Sequence, residues 1–190
     1  MITAAKVSTA LFVPQTVESA PEKSKPILQN VNKAFGFIPN LMATFANNPS
    51  VLEGYLALDS IFEKGSFTRV ERQLILLAVS VENKCAYCTA AHSTIAKGFL
   101  HAAPEIVLAI RNGTPIADKK TNALVNLTRE VVQERGFVKQ ETIEAFLSAG
   151  YRKEQVMELL LGVALKTISN YLDHISPTPL DHAFEAEKVR

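Results

Sequence analysis

Cys85 and Cys88 are the only cysteines of the chain, and His92, one of its four histidines, follows four residues after the second. On an α-helix, residues three and four apart share a face, with neighbouring Cβ atoms about 5–6 Å apart. Two thiols and a base would then project together. Asn83 reads as the N-cap of that helix, and Gly98, directly after Lys97, as its stop. Both sulfurs would lie in the first turn and a half, where unpaired N–H groups and the positive end of the dipole favour an anion. A free thiol titrates near ~8.5, and a helix start, a Cys-X-X-Cys spacing and a neighbouring His each lower that value. All three devices coincide here. Cys88, one turn before His92, is the candidate attacking sulfur and Cys85 the resolving one. Two plainer readings stay open. The three residues could be part of a zinc site, with a fourth ligand only from the distant His101, His174 or His182, or the cysteines could be inert buried side chains. No metal and no cofactor is called for by the motif itself.

The elements around this stretch read as helices. Thr68 and Glu71 have the spacing of a capping box, and they open a segment through Leu74, Ile75, Leu76, Leu77, Ala78, Val79 and Val81 that is apolar almost all round, as a central helix is. Gln73 and Ser80 interrupt it seven residues apart, close to one side, so they form a polar track whose natural partners are the thiols and imidazole of the next helix. Pro, Gly and cap residues bound further helices at about 26–36, 40–47, 50–64, 104–111, 118–134, 140–149 and 153–175. No segment alternates with period two. The fold class expected is all-α, with residues 1–20 an N-terminal arm and residues 21–190 one helical domain.

A chain of 190 residues with 47% hydrophobic content can bury a full core without staples. Its net charge of +1, spread over both signs, leaves no basic stripe for nucleic acid and no polybasic membrane anchor. The apolar run from Ala10 to Val13 is too short for a signal peptide, and no run is long enough to span a membrane, so a cytoplasmic location is expected. In a reducing compartment, a Cys-X-X-Cys pair is expected to be transient and catalytic rather than a permanent cross-link.

The run Glu71–Ser80, then Asn83-Lys-Cys-Ala-Tyr-Cys88 and Ala90-Ala-His-Ser93, resembles the core of the carboxymuconolactone decarboxylase-like, AhpD-type alkylhydroperoxidase superfamily. Phe35-Gly-Phe-Ile-Pro-Asn40, the helix end from Leu56 to Gly65, Asn170-Tyr-Leu-Asp-His174 and Thr178-Pro-Leu-Asp181 extend the resemblance to its longer peroxidase-related branch. The resemblance covers roughly residues 25 to 185, with the core at 71–98 its specific part. It implies an AhpD-like multi-helical homo-oligomer, a small-molecule peroxide as substrate and a cellular dithiol as reductant. It also implies that Cys88 attacks the peroxide, Cys85 resolves, and His92 joins a proton relay. In the best-known members that relay includes a glutamate twelve residues before the first cysteine, where this chain has Gln73. Gln73 is therefore expected to position by hydrogen bonding, with Glu82 as the substitute carboxylate and Glu71 the less suited one because of its capping role.

The function expected is a thiol-dependent peroxidase of the alkylhydroperoxidase type, working through a Cys85/Cys88 dithiol–disulfide cycle with no cofactor. Two alternatives remain at this stage: a lactone decarboxylase-type enzyme of the same superfamily, and a non-enzymatic thiol redox sensor.

Overall fold

The structure, a computed structural model, describes residues 10–189. Among these the chain forms nine α-helices and no strand: α1 Lys25–Phe35, α2 Asn40–Phe45, α3 Pro49–Glu63, α4 Arg69–Glu82, α5 Ala86–Thr94, α6 Pro104–Asn112, α7 Lys119–Gln133, α8 Gln140–Ser148 and α9 Lys153–Ile175. A π-helical turn, Ile95–Phe99, extends α5, and a 3-10 turn, His182–Glu187, closes the chain. The all-α class expected from the sequence is the class observed. Outside the cysteine segment, helix ends fall within two residues of the predicted ones, because caps and breakers set them. Asn48 accepts from Ser50 N and Val51 N ahead of Pro49, and Asp118 accepts from Thr121 N. Gly36 and Gly113 end α1 and α6 in the left-handed conformation that glycine adopts without strain.

α4 is the central element, packed against α5, α6, α7 and α9. Its start is the predicted capping box: Thr68 Oγ1 accepts from Glu71 N at 3.2 Å, and the Glu71 carboxylate accepts from Thr68 N at 2.8 Å. Every residue from Leu74 to Ser80 is buried. One side of the helix, with Ile75, Leu76 and Val79, joins a core with Leu28, Phe45, Leu52, Phe62, Phe146, Leu159 and Leu165. The other side, with Leu74, Leu77 and Ala78, joins a smaller cluster with Ala96, Val107, Ile110 and Val125. A helix buried between two clusters needs the all-round apolar sequence that α4 has.

α9 reaches the centre because it carries a glycine at the crossing. A Cβ on Gly162 would stand 3.0 Å from both Phe62 Cζ and Ile75 Cγ2, so its absence lets α9 close on α3 and α4. The buried row of α9 then runs through Leu159, Gly162, Leu165, Lys166, Ser169 and Asn170. It is apolar at its first half and polar where it passes α5.

Residues 10–20 lie against the body, with Phe12 N donating to Ser176 Oγ at 2.9 Å and Gln15 N to the Ala43 carbonyl at 3.0 Å. The rest of the expected arm, residues 1–9, falls outside the described residues. Among the described residues, no helix is long and apolar enough to cross a membrane.

The Gly162 crossing predicts opposite effects for two substitutions. Gly162→Ala is expected to destabilise by about 1–2 kcal/mol, because overpacking at ~1–3 kcal/mol outweighs a helix-propensity gain of about 1 kcal/mol. Gly54→Ala on α3, where nothing lies within 4 Å of the new Cβ, is expected to stabilise by about 0.5–1 kcal/mol. Urea unfolding of the two variants measures this, and a Gly162→Ala protein as stable as Gly54→Ala would contradict the close crossing.

Candidate active site

The corner between α4 and α5 differs from the sequence expectation. Asn83 is the C-cap of α4, not the N-cap of the next helix, and Lys84 takes a left-handed conformation with φ of 59°. Cys85 N donates to Ser80 O at 3.0 Å and Lys84 N to Val81 O at 2.9 Å. These two bonds are a Schellman ending, with Lys84 where glycine is usual. The turn is so tight that the residue closing α4 is also the one opening α5. Cys85 is that residue, and its Sγ accepts from Cys88 N at 3.4 Å in place of a side-chain oxygen. The two cysteines therefore meet as a cap and the first turn it caps, rather than as two steps along one helix face. The far end differs too. Gly98 lies inside the π-helical turn, and the left-handed residue beyond it is His101.

Both cysteines are free and buried, at 0% and 1% exposure. Their surroundings are polar. Cys85 Sγ lies 3.3 Å from Asp173 Oδ2, and Cys88 Sγ lies 3.9 Å from Ser169 Oγ. Lys166, one helical turn before Ser169 and Asn170 on α9, is 1% exposed and lies against Cys88. Burial opposes a charge on Cys88, yet the hydrogen bond from Cys85 and the attraction of Lys166 prevail and lower it to about 6. Cys85 moves the other way: its hydrogen bond to Cys88, its burial and the charges of Cys88 and Asp173 hold its proton on. The two sulfurs are thus shifted in opposite directions, Cys88 toward the thiolate and Cys85 toward the thiol. Burial would discharge Lys166, but Cys88 offsets it and the side chain stays charged.

His92 is partly buried, and its Nδ1 is 2.9 Å from Gln73 Oε1. An amide carbonyl only accepts, so Nδ1 carries the proton and Nε2 is left bare. Burial, and then the charge of Lys166, hold the ring well below its ordinary value, so it is neutral at pH 7. No hydrogen bond joins His92 to either sulfur among the described residues. The polar track of α4 divides, since Ser80 Oγ turns back to its own helix at Leu76 O, 2.7 Å away, while Gln73 reaches the imidazole.

Neither candidate carboxylate meets His92 in a hydrogen bond. Glu82 accepts from Gln133 Nε2 at 2.7 Å and pairs with Arg129 Nε at 3.3 Å, both on α7. Glu71 is held by Thr68 N, by Tyr151 Oη at 2.8 Å and by Lys120 at 3.8 Å. The carboxylate at the thiols is Asp173, whose second oxygen accepts from Thr178 N at 2.9 Å. Asp173 and Lys166 both escaped the sequence reading. Their signal in the sequence is slight: Lys166 falls one turn after Gly162, and Asp173 seven residues further on. Tyr87, between the cysteines, turns its hydroxyl away from them to donate to Asp181 Oδ2 at 2.5 Å. Among the described residues, no three His, Cys, Asp or Glu side chains converge as a metal ion would need.

Comparison with known proteins follows this geometry. The chain is similar in fold to the AhpD-core, peroxidase-related protein of Ralstonia eutropha JMP134, with 21% identity over 93% of this chain and 95% of that one and a TM-score of 0.81. A peroxidase-related protein of Silicibacter sp. TM1040 gives 17% identity over 98% and 99% of the two chains, with a TM-score of 0.79. The debrominase Bmp8 gives 18% identity over 93% and 95%, with a TM-score of 0.77. At these identities the likeness is one of fold. No curated protein matches the sequence. Residues 49–130, which hold both cysteines, His92 and Gln73, match the carboxymuconolactone decarboxylase family. The chain thus carries, at residues 49–130, a segment that matches the carboxymuconolactone decarboxylase family, within an AhpD-like fold.

Proposed function

We propose that the protein is a thiol-dependent peroxidase that reduces a small hydroperoxide through a Cys85/Cys88 disulfide cycle recharged by a cellular dithiol. What supports this reading is the unequal setting of the two sulfurs: Cys85 Sγ lies 3.3 Å from the Asp173 carboxylate and is shifted toward the thiol, while Cys88, on the side of the buried Lys166, is shifted toward the thiolate. The Cys88 thiolate attacks the terminal oxygen of the hydroperoxide, so that an S–O bond forms and the O–O bond breaks. His92, neutral with a bare Nε2, takes the hydroperoxide proton and returns it to the departing alkoxide, leaving Cys88 sulfenate and an alcohol. Gln73 holds the imidazole in that tautomer. Cys85 then attacks the sulfenate sulfur, and its proton passes by way of Asp173 to the sulfenate oxygen. The S–S bond forms as hydroxide leaves and becomes water, and an external dithiol exchanges with the disulfide to restore both thiols. A lactone decarboxylase would leave both sulfurs idle. Its activity would survive thiol alkylation, whereas a peroxidase would lose its own.

Cys88→Ser is expected to cut peroxide consumption at least about a hundredfold. Cys85→Ser is expected to complete one turnover and leave a sulfenic acid that dimedone traps. With Cys88 lowered to about 6, the thiolate is lost as pH falls below that value, so the peroxidatic rate should drop about tenfold per unit below pH 6 and level off above pH 7. His92 is neutral throughout and adds no second limb. A Cys88→Ser protein as active as the wild type, measured with excess dithiol, would refute the assignment.

Reactants reach these buried sulfurs only if something parts, and the C-terminal strap, residues 176–187, is the covering that lacks an α-helix. It crosses α5 and is latched by Tyr87 Oη and Asn40 N on Asp181, by the Phe184 ring against Tyr87 and Phe37, and by Glu187 against Arg111 and Lys97. Phe184→Ala is expected to speed iodoacetamide alkylation of Cys88 several-fold without a matching loss of urea stability. An unchanged alkylation rate would place the entrance elsewhere. Self-association, expected from the superfamily, is supported by the exposed apolar row of Met157, Leu160, Ile168, Tyr171 and Ile175 along α9.

A further inference from the structure

We infer that Lys166 is a catalytic residue, the permanent counter-cation of the Cys88 sulfur, and that the thiolate exists because this buried lysine forms no carboxylate ion pair among the described residues. The argument starts from burial. An ammonium group with almost no exposure is tolerated only beside a negative partner. Every carboxylate ion pair among the described residues belongs to another cation: Lys25, Arg72, Lys97, Arg111, Lys120, Arg129 or Lys188. No carboxylate lies within 4.0 Å of Lys166 Nζ by that measure.

The groups that face Lys166 come from two helices and the α4–α5 corner. α5 supplies Cys88 and His92, the corner before it supplies Cys85, and α3 supplies Tyr55 and Asp59. Tyr55 is buried and its phenol keeps its proton, since burial raises it above its ordinary value. His92 is neutral. Asp59 is raised to about 6 by its burial and by the like charge of Glu63, against the opposing pull of Lys166 and Arg72, so it shares the field of Lys166 from α3 without an ion pair to it within 4.0 Å. Cys88 is the foremost of the groups that hold the charge on Lys166, and its Sγ lies 3.9 Å from Ser169 Oγ, one turn along the same buried row of α9. Gly162 makes this placement reachable, because it brings α9 close enough for a lysine one turn later to end at the first turn of α5.

The sequence context supports the same conclusion. Lys166 follows Leu159, Gly162 and Leu165 on the inward row of α9, a position where leucine or methionine would pack at no electrostatic cost. A lysine there weakens the core unless its charge is used. In the cycle proposed above, the charge is used twice: it stabilises the thiolate before attack and the sulfenate after it, and Lys166 itself neither gains nor loses a proton.

This inference rests on Cys88 being the attacking sulfur, but its test needs no peroxide. Thiolate absorbance near 240 nm is titrated against pH in the wild type, Lys166→Met and Lys166→Arg, with circular dichroism and urea unfolding to establish that each is folded. Lys166→Met keeps the volume and loses the charge, and it is expected to raise the Cys88 pKa so that the thiolate fraction at pH 6 falls at least about tenfold. Lys166→Arg keeps the charge and is expected to preserve the low value. Alkylation rates should follow the same order. A folded Lys166→Met protein whose thiol titrates as the wild type does would overturn the inference. If Lys166→Met does not fold, a folded Lys166→Arg protein decides by the same titration: a preserved value supports the inference, and a thiol returned to its ordinary value overturns it. Should the wild type consume no peroxide while the Lys166 effect on the titration holds, the peroxidase reading fails and this one stands.

Discussion

A charged lysine end-group sealed inside a helical bundle, with a sulfur for a neighbour, sets the terms for everything around it. Lys166 can stay charged only if something nearby is negative, and the α4–α5 corner delivers Cys88 to that place. The delivery depends on two departures from ordinary helix chemistry. Lys84 adopts a left-handed backbone that costs about 1–2 kcal/mol outside glycine, and Cys85 serves as a cap where serine, threonine or aspartate is usual. Both departures shorten the link between the central helix and the thiol helix. The gain is that a cap sulfur and a first-turn sulfur face the same buried row of α9.

The same arrangement explains why a glutamine is acceptable beside the imidazole. A carboxylate at Gln73 would favour the charged ring and compete with the thiolate for the positive charge in the pocket. With an amide there, the ring is neutral and its tautomer is fixed. Positive charge in the site is then concentrated on one group, Lys166. Asp173 lies at the other sulfur, so the pocket is negative where the proton is kept and positive where it is lost.

Much of this was legible in the sequence. The helix class, the capping box at Thr68 and Glu71, the buried character of Leu74–Val79 and the redox spacing of Cys85 and Cys88 all rest on local signals, and local signals survive folding. Of the polar track expected on α4, Gln73 reaches the imidazole and Ser80 does not. The α4–α5 corner was not legible, since Asn83 is a good cap residue by type and nothing in the sequence says that Lys84 would turn left-handed. The destination of Glu82 was hidden for a different reason: Arg129 and Gln133 are about fifty residues away, and only tertiary packing brings α7 beside α4. Lys166 and Asp173 share that difficulty. They sit some eighty residues beyond the motif they complete, and a lysine in a helix of mixed polarity carries no sign of which face it takes.

The account stands on one event, the joining of the two sulfurs by an oxidant. Intact-mass spectrometry of the reduced protein after a single equivalent of an organic hydroperoxide observes it directly. The account predicts a loss of about 2 Da, with peptide mapping that links Cys85 to Cys88 and reversal by a dithiol. An unchanged mass with the hydroperoxide still present, or oxygen added to Cys88 while Cys85 stays free, would contradict it.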